Sequence, residues 1–497
     1  MKKEDKESIW DIFDYNEFAS PTLTTPGNIL IYSVFLLCAI PLIIICLPFY
    51  LGWLLIKTIC YGFHFVFTKK QYRIPFKDFM IMDEDEREKR NNAQIRIFAK
   101  QIEPTALEQI NTLIEQEAFK NSKVRIMPDV HAGKGCVIGF TADLGDKVIP
   151  NIVGVDIGCG MSWCELQGDV DLEKFDQTVK KFIPAGMNVR TSSLTTNINL
   201  KDLYCYSKLK NKEGYLERSL GTLGGGNHFI EIDKDEDGKH YLIVHSGSRN
   251  LGKQVCEIYQ DIATTHCSYE IEMKEECEQA IKALKENNQQ QLIQSTIDAI
   301  KGKYKNKLKM PKDLCYIEGK DRENYLHDMR ICQKWASENR FNIINIVCSI
   351  MQIPHGEIIE TIHNYIGDDN IVRKGAISAK KDEIVLIPMN MRDGCIVAKG
   401  KGNPNWNCSA PHGAGRLMSR KQARDTLSVA DFKNEMNGIY TTTADETTID
   451  EAPMAYKPME EIIDCIGDTA DILKIIKPIY NFKASEEGEK YDKKSRN

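Results

Sequence analysis

Five short segments, scattered between residues 127 and 416, each set a histidine, cysteine or aspartate against glycine at the end of an apolar run. They are Met127-Pro128-Asp129-Val130-His131-Ala132-Gly133-Lys134-Gly135, Val155-Asp156-Ile157-Gly158-Cys159-Gly160, Gly224-Gly225-Gly226-Asn227-His228-Phe229-Ile230-Glu231, Val244-His245-Ser246-Gly247-Ser248-Arg249 and Ser409-Ala410-Pro411-His412-Gly413-Ala414-Gly415-Arg416. A histidine flanked by Gly-Ala-Gly finds no apolar surface in its neighbours, so packing does not explain it. Glycine does permit close backbone approach by a phosphate, and loop N–H groups with an always-charged arginine suit an anion. The bland reading of the segment at 412 is a glycine-rich surface turn with an incidental histidine. Of the 10 histidines, five (His131, His228, His245, His363 and His412) sit in such settings or beside polar loop residues, which points to a multi-histidine metal site. Loops so far apart in sequence must converge from one folded unit, not from separable domains.

Helical spacing runs over Thr105 to Ala118, with Leu107, Ile110 and Leu113 on one face. From Val124 to Leu166 the sequence turns to short apolar runs punctuated by glycine, which reads as strands and tight loops. Further strands are expected at 227–232, 241–245, 383–388 and 394–398. Between them lies a helical excursion, about 253–352, whose core from Glu270 to Lys309 is charge-rich and reads as exposed. The predicted class is α+β: a single domain over 94–484 with glycine-rich loops. A disordered charged tail is expected over 485–497. The net charge of −6 argues against a generally basic nucleic-acid coat, so any RNA binding must be local. The 16 cysteines include no C-x-x-C pair, the pattern of free thiols in a reducing compartment.

An acidic leader (1–28) precedes a run, Ile29 to Ile56, that is almost wholly apolar; no charged residue occurs between Glu17 and Lys57. That run exceeds the ~20 residues needed to cross a bilayer. A second apolar stretch, Thr58 to Thr68, makes 29–67 a transmembrane or re-entrant hairpin segment, followed by a charged linker (68–93). Lys57, Lys69, Lys70, Arg73 and Lys77 crowd its C-terminal flank, which predicts membrane attachment with everything after residue 70 in the cytoplasm.

Asp156 and Cys159 flank a glycine, so both side chains can turn toward one point. With His228, His245 and His363 they make five ligands, one too many for a closed tetrahedral site. A bridging thiolate shared by two metals is the natural reading; Cys with His suggests zinc, and the aspartate adds tolerance for manganese. A structural zinc site would ordinarily show C-x-x-C spacing.

Taken together, these segments resemble the RtcB family of RNA ligases, over about Arg96 to Lys483. The resemblance extends to Asp328-Met329, Ala336-Ser337-Glu338-Asn339-Arg340, Val372-Arg373-Lys374-Gly375-Ala376 and Asp450-Glu451-Ala452-Pro453-Met454-Ala455-Tyr456-Lys457. It implies joining of RNA 3′-phosphate or 2′,3′-cyclic phosphate ends to 5′-hydroxyl ends, in tRNA splicing or RNA repair. It also implies two manganese ions, one on Asp156, Cys159 and His228 and one on Cys159, His245 and His363. His412 would become guanylylated by GTP. Contacts to GTP would come from Asn227, His228, Phe229, Ile230, Glu231, His363, Asn364, Pro388, Met389, Asn390, Met391, Cys395, His412, Gly413, Ala414, Gly415 and Lys483. Arg249 is suited to gripping an RNA phosphate bidentately. Many family members have Pro-Gly-Ser-Met where this chain has Pro388-Met389-Asn390-Met391, and serine in place of Cys395. Competing readings are a membrane-tethered RNA-binding pseudo-ligase and nucleotidyl transfer to another nucleic-acid 3′-phosphate end. The resemblance leaves open whether an activating protein takes part.

Overall fold

The computed structural model describes residues 80–81, 94–133 and 135–484, all within the unit Ile74–Asn497. The expectations for the leader 1–28, the apolar segment 29–67, the linker 68–93 apart from two residues, and the tail 485–497 lie outside the described residues. Among the described residues, no helix is long and apolar enough to cross a membrane.

In chain order the strands are β1 (Met80–Ile81), β2 (Ile95–Ile97), β3 (Gln101–Ile102), β4 (Val124–His131), β5 (Ile138–Asp143), β6 (Gly160–Leu166), β7 (Phe229–Lys234) and β8 (His240–Ser246). They continue with β9 (Ile359–Ile362), β10 (Asn364–Ile366), β11 (Ile371–Lys374), β12 (Ala376–Ser378), β13 (Ile384–Asn390), β14 (Gly394–Gly400), β15 (Ser409–Pro411) and β16 (Ala470–Lys483). Seven of them form an antiparallel sheet in the order β13-β14-β16-β7-β8-β6-β9, and five form a second in the order β10-β11-β5-β4-β2. The strands β12 and β15 pair separately, as do β1 and β3.

Side chains alternate across a strand, and the central sheet buries both of its faces. One face (Ile230, Ile232, Leu242, Val244, Tyr480, Phe482) packs on two helices, α1 (Leu172–Phe182) and the helix Gly319–Met351 described below. The other (Met161, Trp163, Phe229, Tyr241, Ile243, Val397, Ile476) packs on itself because the sheet curls. Leu386 in β13 donates its N–H to Thr361 Oγ1 in β9 at 3.3 Å, so the two edge strands meet. Curling removes exposed edges and leaves a mouth at one end.

The helical excursion divides differently from the expectation. The helices α2 (Arg249–His266) and α5 (Gly319–Met351) are core elements; only α3 (Glu270–Glu286) and α4 (Ile293–Tyr304) between them are exposed, α3 having no buried residue. The helix α5 lies within the helical block expected at 253–352, and its buried face is partly polar. Asp328, Asn339 and Arg340 are each 0% exposed. Arg340 donates to Ser162 Oγ at 3.0 Å, to the Gly158 carbonyl at 2.9 Å and to the Ser246 carbonyl at 2.7 Å, and pairs with Glu360 at 2.8 Å. Asn339 accepts from the N–H groups of Gly221 and Thr222 and donates to Ser246 Oγ. One turn of helix thus fixes four chain segments beneath the sheet mouth. Arg340→Met keeps the aliphatic volume and orphans every acceptor, so we expect a loss of about 3–5 kcal/mol in urea unfolding. A loss under about 1 kcal/mol would contradict this role.

The expected helix at 105–118 is Pro104–Ile114 followed by a 3-10 turn at Glu117–Phe119, with Leu107, Ile110 and Leu113 buried. The 14-residue β16 goes unread in the sequence because Asp471, Lys474, Lys477 and Pro478 break its alternation. A bulge between Pro478 and Tyr480 accommodates the proline.

Candidate active site

Antiparallel pairing brings the starts of β6 and β7 and the ends of β8, β9 and β16 to the same end of the curled sheet. The register aligns Met161 and Phe229 with His245, Gly160 with Ile362, and Lys483 with Phe229. Cys159, His228, His245 and His363 therefore stand side by side at the adjoining ends of neighbouring strands. A Cβ on Gly160 would lie 2.4 Å from the Thr361 carbonyl, so only glycine lets β6 and β9 close this tightly. The His363 N–H donates to the Cys159 carbonyl at 2.9 Å and locks those two ligands together.

The ligand atoms converge. His228 Nε2 is 2.9 Å from Asp156 Oδ2 and 3.4 Å from Cys159 Sγ; His245 Nε2 is 3.4 Å from both Cys159 Sγ and His363 Nε2. Two triads result, Asp156–Cys159–His228 and Cys159–His245–His363, and Cys159 belongs to both. The Nδ1 atoms of His228 and His245 face the carbonyls of Leu223 at 2.8 Å and Asn227 at 3.1 Å. A carbonyl only accepts, so those Nδ1 atoms carry the protons and the Nε2 lone pairs point inward.

Burial drives His245 and His363 well below the usual histidine range, with neighbouring cationic groups adding to it, so both are neutral donors. Burial works to raise Asp156, but His228, Cys159 and Arg249 outweigh it and hold the carboxyl at about 2. Burial and the Asp156 carboxylate push the Cys159 thiol well up. A carboxylate, three imidazoles and a thiol waiting to lose its proton fit divalent cations sharing one sulfur.

His412 follows β15, whose partner β12 begins one residue after Gly375. Its Nδ1 lies 2.6 Å from Asp129 Oδ2, and the same oxygen accepts the N–H groups of His412 at 3.0 Å and Gly413 at 3.2 Å. Asp129 is fully buried near the end of β4. The imidazole is thereby fixed with Nε2 as its free nitrogen, its ring 4.8 Å from that of His363. This is the orientation an imidazole nucleophile requires.

A cavity of about 580 Å³ opens beside His412. Of the expected nucleotide contacts, Asn227, Phe229, Glu231, His363, Asn364, Pro388, Met389, Asn390, Met391, His412, Gly413, Ala414, Gly415 and Lys483 line it, and His228 stands in the ligand cluster. Ile230 does not: it is on the opposite face of β7, in the core beside α1 and α5, because adjacent strand residues point to opposite faces. Cys395 is buried behind Glu231, with its Sγ 3.9 Å from Glu231 Oε1. Burial raises the carboxyls of Glu231 and Asp233, and the neighbouring Glu231 carboxyl raises Asp233 further. In the unusual loop, Asn390 is occupied internally: its Oδ1 accepts from the N–H groups of Arg392 and Asp393, and its Nδ2 donates to Asp393.

Arg249 lies by the Asp156 ligand set. Its Nε donates to Thr222 Oγ1 at 3.1 Å and its NH2 to the Gly186 carbonyl at 2.8 Å, and its φ of 60° is left-handed. A non-glycine residue held there stores strain, a recurrent feature of ligand-binding positions.

Sequence reasoning did not assign Asp129, Asn481, Glu451 or Tyr456. Glu451 is bound by Lys483 at 2.9 Å, Arg420 at 3.0 Å and Arg416 at 3.2 Å; those three cations overcome burial and hold its carboxyl at about 2. Arg416 stacks over the Tyr456 ring at 5.0 Å. The signals were present, Asp129 in the first glycine-set segment and Glu451 with Tyr456 in one stretch, but nothing in the sequence says which polar residue faces the cavity.

Comparison with known proteins agrees with this geometry. A family model described as tRNA-splicing ligase RtcB matches residues 112–208 and 198–484. The RNA-splicing ligase RtcB of Escherichia coli (strain K12) is 29% identical over 434 residues, covering 78% of this chain and 97% of that protein. The tRNA-splicing ligase RtcB of Archaeoglobus fulgidus is 25% identical over 469 residues, covering 76% of this chain and 89% of that protein.

Proposed function

Because this chain belongs to the RtcB family and is an RNA ligase, we propose that it joins RNA 3′-phosphate or 2′,3′-cyclic phosphate ends to 5′-hydroxyl ends through a His412–GMP intermediate. GTP is the cosubstrate and two manganese ions are the metals of this reading; tRNA splicing or RNA repair is the role it would serve. The observation that carries it is His412 clamped by Asp129 through Nδ1, beside both ligand triads and open to the cavity.

Nε2 of His412 attacks the α-phosphorus of GTP, and pyrophosphate leaves. The positive charge that develops on the ring is stabilised by Asp129 through the Nδ1 hydrogen bond. Glu231, Asn481 and Lys483, which line the cavity together with Phe229 and Tyr456, hold the purine in this reading. Arg249 grips the RNA 3′-phosphate, whose oxygen takes GMP from His412. The 5′-hydroxyl then attacks the activated phosphorus and GMP departs. Two divalent cations held by Asp156, Cys159, His228, His245 and His363 would neutralise charge on the phosphates. We extend the proposal to membrane attachment through residues 29–67, with the catalytic domain in the cytoplasm, on the strength of the sequence alone.

Incubation of the full chain with manganese and GTP labelled at the α-phosphate should yield an acid-labile, base-stable adduct. The label should then appear on an RNA 3′-phosphate end before joining to a 5′-hydroxyl RNA. RNA binding without an adduct would favour the pseudo-ligase reading. Transfer confined to DNA 3′-phosphate ends would favour the other alternative.

A further inference from the structure

Asp129 holds two imidazoles, not one. Its carboxylate takes Nδ1 of His412 at 2.6 Å, and its backbone carbonyl lies 3.0 Å from Nδ1 of His131. Since a carbonyl only accepts, Nδ1 of His131 carries the proton and its Nε2 holds a lone pair. His131 lines the same cavity as His412, Gly413 and Arg416. Its position is fixed: it pairs with Ile138 at the end of β4, the next N–H (Ala132) is taken by Glu103, and the following one (Gly133) by Gln109 at 3.1 Å. Among the described residues no metal triad includes it, and the steps above give it no work.

We propose that His131 is the proton acceptor for the RNA 5′-hydroxyl in the sealing step, an inference that rests on the ligase reading given above.

The chemistry selects the step. From a 3′-phosphate end three nucleophiles act in turn: the His412 lone pair, a 3′-phosphate oxyanion and a 5′-hydroxyl; a 2′,3′-cyclic end is first opened to the 3′-phosphate by water. Only the third carries a proton that must leave during attack. The 5′-O–H bond breaks and its proton goes to Nε2 of His131. The new 5′-O–P bond forms as the bond from that phosphorus to the GMP oxygen breaks, its electron pair leaving on GMP. His131 then returns the proton to solvent. Burial pulls His131 down to about 4, against the raising effect of the Asp129 carbonyl, so the ring is neutral and able to accept at neutral pH. Bound phosphates would increase its basicity just where the proton is released.

The test uses the full manganese-loaded chain in two arms. One measures self-labelling of His412 by α-labelled GTP; the other measures sealing of RNA already carrying GMP on its 3′-phosphate to a 5′-hydroxyl RNA. His131→Ala should lower sealing by about a hundredfold more than labelling, the usual scale of general-base catalysis. Added imidazole should restore part of the sealing. His131→Gln, whose amide can still donate to the Asp129 carbonyl, should show the same imbalance and guards against collapse of the β4 end. Equal losses in both arms, or a sealing defect unmoved by imidazole, would overturn the proposal. A wild-type chain that fails to label would instead refute the ligase reading beneath it.

Discussion

His412→Ala should abolish the GMP adduct, lowering self-labelling by roughly 10⁴-fold or more, because no other side chain replaces a lost nucleophile. The protein should remain folded, with stability within about 1 kcal/mol of wild type. The ring is 17% exposed and is followed by Gly413 and Ala414, so its removal opens little core. The variant should still join RNA supplied with GMP already on its 3′-phosphate, since the last step needs only positioning, metals and a proton acceptor. Phosphorimaging of the denatured protein measures the first effect, and gel analysis of the joined RNA the second. An alanine variant that still forms the adduct from GTP would remove His412 from the mechanism. Asp129→Asn offers a graded companion: the ring stays in place but loses the carboxylate that orients it, and labelling should fall by about 10²–10⁴-fold.

Cys159→Ser should cost more metal than the loss of any single histidine. The thiol sits in both triads, and a hydroxyl is a poor substitute for thiolate. Metal content after dialysis should fall toward none per chain, whereas His363→Ala should retain about one ion. Equal losses in the two variants would contradict the bridging role. The pH dependence gives a second reading. Burial holds the Cys159 thiol protonated, so a metal must displace that proton, and wild-type affinity should rise with pH between about 6.5 and 8. His245 and His363 are already neutral in that range and contribute no slope. Affinity in Cys159→Ser should accordingly be flatter as well as weaker.

The ligand residues were legible because their sequence context is itself chemical. Histidine against glycine wastes both packing and helix propensity, which makes such positions stand out without any tertiary information. Strands, though not their exact ends, were legible for a related reason: the apolar runs expected at 227–232 and 241–245 are strands at Phe229–Lys234 and His240–Ser246. Ile230 shows where this fails. It sits between two cavity residues in the chain, yet the pleat sends it to the far face, so neighbourhood in sequence is not neighbourhood in the site. The helix α5 shows a second limit, since residue type alone does not reveal that Asn339 and Arg340 are buried as brackets for Gly158, Thr222 and Ser246.

By itself the sequence determined the α+β class and the requirement that the glycine-set segments converge from one unit, and it pointed to five candidate ligands and a candidate nucleophile. Those are properties of residue type and local spacing. Only the tertiary structure decided which acid orients His412, that His131 shares it, and that Glu451 and Tyr456 face the cavity. Each of those depends on contacts between segments distant in the chain: Asp129 and His412 are 283 residues apart, and no local pattern encodes which carboxylate a curled sheet will bring to an imidazole.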